Sequence, residues 1–316
     1  MRTRDSLTII EGPDGAGKST LIEKLQDVWG SVKMIHHGAY PGITERELPA
    51  RYLHPMLRRS VTHLIYDRSW CAEPIYGAAM RGGADRIGVG WRRMLERVAL
   101  SERGVVVLAL PPYSKCLTTF AARRDREYLD HVEKLKRVYN GYLQLKTALP
   151  MFRYDYTIMN LGDVRRLLEQ HRPALNLGPG IGRWAPGEVT LLVGERSNDV
   201  NALRYPQLVF VSSRGGSGDC GPWFAEQLEK LGVGEDQLYW VNAIDPRDKP
   251  TDPKFIEQLQ PKRVIALGGV AANWCSNAGV EAVEIEHPQY WKRFHHHEPW
   301  GNLRRAFNHL TQEKTV

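Results

Sequence analysis

Gly12-Pro13-Asp14-Gly15-Ala16-Gly17-Lys18-Ser19-Thr20 fits the pattern G-x-x-x-x-G-K-[ST] in full. Before it, Ser6–Glu11 carries Leu7, Ile9 and Ile10 and reads as a buried strand. After it, Gly17–Trp29 sets Leu21, Ile22 and Leu25 on one face and reads as a helix. Strand, glycine-rich turn and helix together form an anion cradle. The turn aims consecutive backbone N–H groups at one point, and the helix start adds its free amides and positive end. Residues Gly12, Asp14, Gly15, Ala16, Gly17, Lys18, Ser19 and Thr20 are therefore expected to hold the phosphates of ATP. Lys18 would supply the cation for the β- and γ-phosphates, and the Ser19 hydroxyl a ligand for Mg²⁺.

Working outward, the first half alternates strands and helix-favouring segments. Val32–His36, Thr62–Asp67, Gly104–Leu110 and Phe152–Thr157 read as further strands, and the near-continuous apolar run GVVVLAL suits a strand buried on both faces. Such alternation predicts a parallel sheet with helices on both sides. Pro173–Gly187 holds three prolines and four glycines and reads as a linker. A second α/β pattern follows, with strand-like segments at Val189–Val193, Leu208–Ser212, Leu238–Asn242 and Arg263–Leu267. Helical patterns lie at Trp223–Leu231, Pro253–Leu259, Ala271–Asn277 and Asn302–Leu310. The expected organisation is a domain over 1–172, a linker over 173–187 and a second domain over 188–316.

Residues 1–172 carry 28 Lys and Arg against 19 Asp and Glu, a balance of +9; residues 173–316 carry 15 against 17, a balance of −2. A basic first domain suits a polyanion, whether nucleotide phosphates or a nucleic-acid backbone. No apolar run is long enough to span a bilayer, and the amino terminus lacks the pattern of a signal peptide, so a cytoplasmic location is expected. Cys71, Cys116, Cys220 and Cys275 sit at no metal-ligand spacing and read as reduced thiols.

Two further elements point to the same chemistry. Asp67 and Arg68 close the third strand, and ligands of open α/β sheets bind beyond the carboxyl ends of the strands. Asp67 could hold Mg²⁺ through water or take a proton from an attacking hydroxyl, and Arg68 could grip a phosphate at two points. Arg123, Arg124 and Arg126 crowd three guanidinium groups into four residues, as a lid over phosphates would. The set EGPDGAGKST, YDRSW, basic lid and late strand YDYT resembles the thymidylate kinase and deoxynucleoside kinase group of P-loop kinases, over about residues 5–172. The resemblance implies a three-layer parallel sheet, Asp14 near the sugar of the acceptor, Arg68 orienting that acceptor, and Lys18, Asp67, Arg68 and the lid arginines as catalytic groups. The stretch Glu73-Pro74-Ile75-Tyr76-Gly77 and then Arg81-Gly82-Gly83 departs from what housekeeping thymidylate kinases show.

In the second half, VGE ends one strand at Glu195, VNA ends another at Asn242, and EHPQYW presents His287 at a proline-fixed turn. Polar groups at three strand ends suit a small-molecule pocket. An amide reads both donor and acceptor edges of a base, and Trp223, Phe224, Tyr290 and Trp291 could stack on one. This order resembles the uracil-DNA glycosylase superfamily over about residues 188–311, which implies that Glu195, Asn242 and His287 line a base pocket. Arg196-Ser197-Asn198 and Gln289 depart from its motifs and favour base binding over glycosidic cleavage. His295-His296-His297 on one short segment does not suit convergence on one metal ion.

Two acceptors remain open. In one, the chain phosphorylates the hydroxymethyl group of 5-hydroxymethyl-deoxyuridine in DNA, the chemistry of phage thymidine hypermodification, with the second domain presenting the base. In the other, it phosphorylates free dTMP or another deoxynucleotide, and the second domain binds or cleaves bases separately. The expected partners are ATP with Mg²⁺ and a thymidine-type nucleotide or DNA containing a modified uracil base. A phage origin and a homodimer are both compatible with this reading.

Overall fold

The computed structural model describes residues 6–38, 40, 42–44, 47–57, 63–122, 129, 131–195, 220–245, 249–298 and 300–312. The chain divides into two compact units. One comprises Met1–Gly88 and Glu102–Pro173, the other Val89–Ser101 and Ala174–Val316. Residues 89–101, inside the first stretch by sequence, thus fall in the second unit.

The first unit is a five-stranded, all-parallel sheet. Its strands are β1 (Ser6–Glu11), β2 (Val32–His36), β3 (His63–Asp67), β4 (Val105–Ala109) and β5 (Met151–Tyr154). Their order is β2-β3-β1-β4-β5. Helices α1 (Lys18–Trp29), α2 (Leu48–Leu57), α3 (Ala72–Met80), α5 (Tyr113–Ala122) and α6 (Val132–Leu143) lie in the crossovers, and α7 (Leu161–His171) follows β5. Parallel strands need such helical returns. The same helices cover a sheet whose central strands β1 and β4 are buried along their whole length. Leu21, Ile22 and Leu25 of α1 join Ile10, Ile65 and Val107 in one core. β1 lies between β3 and β4, in a register that sets Ile10 beside Asp67. The ends of β1, β2 and β3 therefore open on one edge, where the glycine-rich turn begins.

The second unit is a five-stranded sheet in the order β10-β9-β7-β8-β6. It comprises β6 (Ile181–Gly182), β7 (Thr190–Gly194), β8 (Leu238–Asn242), β9 (Arg263–Leu267) and β10 (Val283–Ile285). All neighbours are parallel except β6, which runs antiparallel to β8. β6 and the buried Trp184 lie in the stretch read as a linker: Ile181 packs in one core of this sheet and Trp184 in another. The short runs and glycines around them hid a strand that depends on β8 for its hydrogen bonds. The expected strand Leu208–Ser212 lies outside the described residues.

Helix α4 (Gly88–Ser101) is held in this unit by buried charge. Arg97 donates from Nε and Nη2 to the two carboxylate oxygens of Glu235, at 2.9 and 3.0 Å, and its guanidinium lies 3.6 Å from the ring centre of Trp240. Arg93 pairs with Glu229 and Glu235 and donates to the Val233 carbonyl at 2.6 Å. Gly90 lets α4 approach helix α8 (Gly221–Lys230): a Cβ there would lie 3.0 Å from Pro222 Cα and clash with its carbonyl. The remaining helices are α9 (Phe255–Leu259), α10 (Gly269–Asn277), α11 (Pro288–Phe294) and α12 (Gly301–Gln312). No helix among the described residues is long and apolar enough to cross a membrane. Cys71, Cys116, Cys220 and Cys275 form no disulfide.

Candidate active site

The turn between β1 and α1 adopts the backbone its glycines permit. Gly15 and Gly17 sit at φ 75° and 80°, in the left-handed region that disfavours other residues. A Cβ at Gly15 would meet the Cys116 carbonyl at 2.5 Å. This turn walls a cavity of about 470 Å³ together with Asp14, Lys18, Ser19, His36, Asp67 and Arg68. The volume is that of a small-molecule site. Tyr156 and Met159 also line it, and a Cβ at Gly17 would lie 2.9 Å from the Tyr156 ring. Only glycine at position 17 leaves room for that ring beside the loop.

Lys18 donates to the carbonyls of Gly12 and Pro13 at 3.0 and 2.7 Å. Burial, and then the nearby Arg68 guanidinium, lower its pKa to about 8, against the pull of Asp14, Asp67 and Glu11. Arg68 takes φ 68°, rare for a residue with a side chain. That turn aims its guanidinium back over the loop, where it donates to the Gly12 carbonyl at 3.4 Å, to Tyr76 and to Asp14. Asp14 is 3% exposed and also accepts from Tyr76 at 3.4 Å. Asp67 Oδ2 lies 2.6 Å from His36 Nδ1, and its Oδ1 is buried with no hydrogen-bond partner among the described residues. The structure thus gathers Asp14, Lys18, Ser19, Asp67 and Arg68 at one cavity. Arg123, Arg124 and Arg126 lie outside the described residues.

The solved structures similar to this chain overlap its first half. One is the YorR protein of Bacillus subtilis in complex with phosphorylated GDP, 18% identical, covering 54% of this chain and 100% of its own, with a TM-score of 0.43. Another is deoxyadenosine kinase from M. mycoides with dCMP and dCDP, 17% identical, covering 52% and 95%, with a TM-score of 0.38. No family model and no curated protein matches the chain.

Three participants escaped the sequence reading. His36 ends a strand whose alternation said nothing of its partner. Tyr76 reaches the site only through the packing of α3. Glu11, fully buried, ends β1 and accepts from Ser69 at 2.6 Å and Tyr142 at 2.8 Å. A charged residue closing an apolar strand next to the glycine turn was the signal available for it. Burial pushes the Glu11 carboxyl up to about 7, against the lowering effect of those hydrogen bonds and of Arg68 and Lys18.

Between pH 4.5 and about 7 the folded chain keeps a proton on Glu11 that the unfolded chain releases. Stability therefore falls as pH rises through that window and levels off above it. The effect is on the order of 3 kcal/mol. Glu11→Gln is expected to remove this slope, as read by nucleotide-free thermal melts of both proteins at several pH values; parallel profiles would refute the assignment.

In the second unit, Glu195, Asn242 and His287 stand at the carboxyl ends of β7, β8 and β10. β7 and β8 pair Gly194 with Asn242. A Cβ at Gly268, where β9 ends, would clash with Glu195 Oε1 and lie 3.0 Å from His287 Cβ, so the two side chains flank that strand end. Glu195 Oε1 accepts from the Val270 amide at 3.4 Å. Asn242 is buried, and its Oδ1 has no partner among the described residues. His287 does not end a simple turn: its Nδ1 accepts from the Gln289 amide at 3.2 Å and caps α11. Burial lowers its pKa, against the nearby Glu195 carboxylate. The ring is therefore a neutral acceptor at Nδ1 and a donor at Nε2. Trp223 and Phe224 pack against Trp300, with Phe224 in the core; Tyr290 and Trp291 both pack on His295. His295 pairs with Glu298 and Tyr290, and the His296 ring is tilted against that of His297. Among the described residues no group of three or more His, Cys, Asp or Glu is placed to hold a metal ion.

Proposed function

We propose that this chain is an ATP-dependent phosphotransferase of the thymidylate kinase-like group, acting at the glycine-turn cavity. The observation that carries the reading is Lys18, buried at the mouth of a left-handed glycine turn that opens into a cavity walled by Asp14, Asp67 and Arg68. The turn amides and Lys18 bind the β- and γ-phosphates, and Arg68, released from Asp14 by a competing anion, grips the transferring group. Ser19 lines the same cavity and would hold Mg²⁺, which when bound neutralises charge on the phosphates. Arg123, Arg124 and Arg126 are proposed to close over the phosphates and exclude water.

The acceptor we favour is the hydroxymethyl group of 5-hydroxymethyl-deoxyuridine in DNA. The basic balance of residues 1–172 suits a phosphate backbone. Glu195, the Asn242 amide, whose Oδ1 has no partner among the described residues, and the Nε2 donor of His287 supply acceptor and donor groups for the edge of a flipped pyrimidine. Glu195 and His287 are proposed to bind the base rather than to cleave its glycosidic bond.

Transfer of labelled γ-phosphate from ATP to three acceptors tests this reading: dTMP, thymidine, and duplex DNA carrying 5-hydroxymethyl-deoxyuridine. Label in the duplex, lost in an Asn242→Ala variant that still binds ATP, is the expected result. Label in dTMP with none in DNA would establish the free-nucleotide reading instead. Abasic sites formed in uracil-containing DNA would show a working glycosylase.

A further inference from the structure

His36 is absent from the residues that the sequence singles out, yet it sits in the phosphate cavity with Asp14, Lys18 and Arg68. β2 and β3 end side by side in a register that sets His36 opposite Asp67. Their side chains meet at 2.6 Å, Nδ1 to Oδ2. A carboxylate can only accept, so the imidazole presents Nδ1–H to Asp67, and in its neutral form it carries its lone pair on Nε2. Among the described residues His36 makes no other hydrogen bond, and its side chain is 61% exposed. Glycine at position 38 leaves that nitrogen uncovered; a Cβ there would lie 3.7 Å from Nε2. His37 faces the other way, 2% exposed, with its ring centre 4.6 Å from that of Tyr52 and 4.5 Å from that of Tyr66. That anchor fixes the strand end and holds His36 at the cavity. Asp67 is itself 8% exposed, so the carboxylate that orients the ring is buried beside it.

We propose that His36 is the proton acceptor for a hydroxyl nucleophile, with Asp67 as its positioning residue, and that the acceptor substrate is therefore a hydroxyl and not a phosphate. This rests on the phosphotransfer reading above. A phosphate monoester is largely doubly ionised at neutral pH, with a second pKa of about 6, and attacks without help. A hydroxyl must shed its proton as it attacks, which is the task of a positioned base. The hydroxyl oxygen forms a bond to the γ-phosphorus. The bond from that phosphorus to the β,γ-bridging oxygen breaks, and its electron pair leaves with ADP. The hydroxyl proton passes to His36 Nε2 and from there to solvent. The Asp67 carboxylate keeps the ring in the tautomer that can receive it.

The test uses the full chain and saturating ATP, with dTMP as the phosphate acceptor and thymidine and 5-hydroxymethyl-deoxyuridine duplex as hydroxyl acceptors. Wild-type protein is expected to label a hydroxyl acceptor. His36→Gln is expected to lower kcat on that acceptor by about 10²–10⁴-fold, with KM for ATP unchanged. Asp67→Asn, which can offer an N–H where the carboxylate only accepts, is expected to lower kcat comparably, again without moving KM for ATP. A purely structural role for Asp67 would shift both constants. Undiminished transfer by His36→Gln would overturn the assignment while leaving the phosphotransfer reading intact. Wild-type label appearing in dTMP alone would do the same. Failure of the wild-type protein to label any acceptor would remove the phosphotransfer reading, and this assignment with it.

Discussion

Lys18→Ala is expected to slow phosphoryl transfer by about 10³-fold, whatever the acceptor. The ammonium group is desolvated: burial and Arg68 bring its pKa down to about 8. A desolvated cation interacts with an incoming triphosphate far more strongly than a hydrated one would. Its present partners, the carbonyls of Gly12 and Pro13, are neutral, so a phosphate oxygen is the stronger acceptor. Removing one preorganised donor from a developing anion costs roughly 10²–10³-fold. Removing a full charge from a transferring phosphoryl group costs up to about 10⁵-fold. A factor of about 10³ corresponds to about 4 kcal/mol of transition-state stabilisation. Single-turnover transfer of labelled phosphate measures it directly. A variant that transfers at the wild-type rate would show that the chemistry occurs elsewhere. The pKa adds a condition on binding: free protein loses the ammonium charge as pH rises past about 8, so nucleotide affinity is expected to weaken above that pH in calorimetric titrations.

Glu235→Ala is expected to destabilise the second unit by about 3–5 kcal/mol, the cost of breaking a buried pair from one side. Burial by itself would raise the Glu235 pKa, yet Arg97, Arg93 and Trp240 hold it below the ordinary carboxylate value. Loss of the carboxylate takes from Arg97, 1% exposed, the acceptor of both its Nε and its Nη2. Trp240 Nε1 also loses its acceptor at 3.2 Å. The double variant Arg97→Leu/Glu235→Leu should recover part of the loss, because Arg97 then brings no buried charge while Arg93 keeps Glu229 and the Val233 carbonyl. Denaturant melts of the full chain followed by tryptophan fluorescence read both effects; a single variant as stable as wild type would show that the pair contributes little. The sign with pH is opposite to that of Glu11. A depressed carboxylate contributes stability above its unfolded pKa, and that contribution is lost as pH falls through the folded value. The same pair makes α4 part of the second unit, so a fragment beginning at residue 174 would lack Arg93 and Arg97 and is expected to fold poorly.

The glycine turn and the lysine that follows it were legible because their information is local. Glycines at positive φ, a lysine at a helix start and apolar flanks of the right period lie within about twenty consecutive residues, and each works through its own backbone or its neighbour's. Asp67 and Arg68 could be placed because strand ends of parallel sheets converge on one edge. The same rule placed Glu195, Asn242 and His287 together at the second sheet. Glu11, His36 and Tyr76 could not be read, because their roles depend on partners 131, 31 and 62 residues away.

What the amino-acid order determined alone was the alternation of strand and helix, the glycine-rich turn and the sign of charge in each half. Periodicity, glycine conformation and ionisation are properties of short stretches. Only the tertiary structure decided that a helix from the first half completes the second sheet, that a proline- and glycine-rich stretch contributes a strand and a core tryptophan, and that His36 meets Asp67. Each of those depends on strand register or on the matching of buried charges, energies that exist only once distant segments are packed against each other.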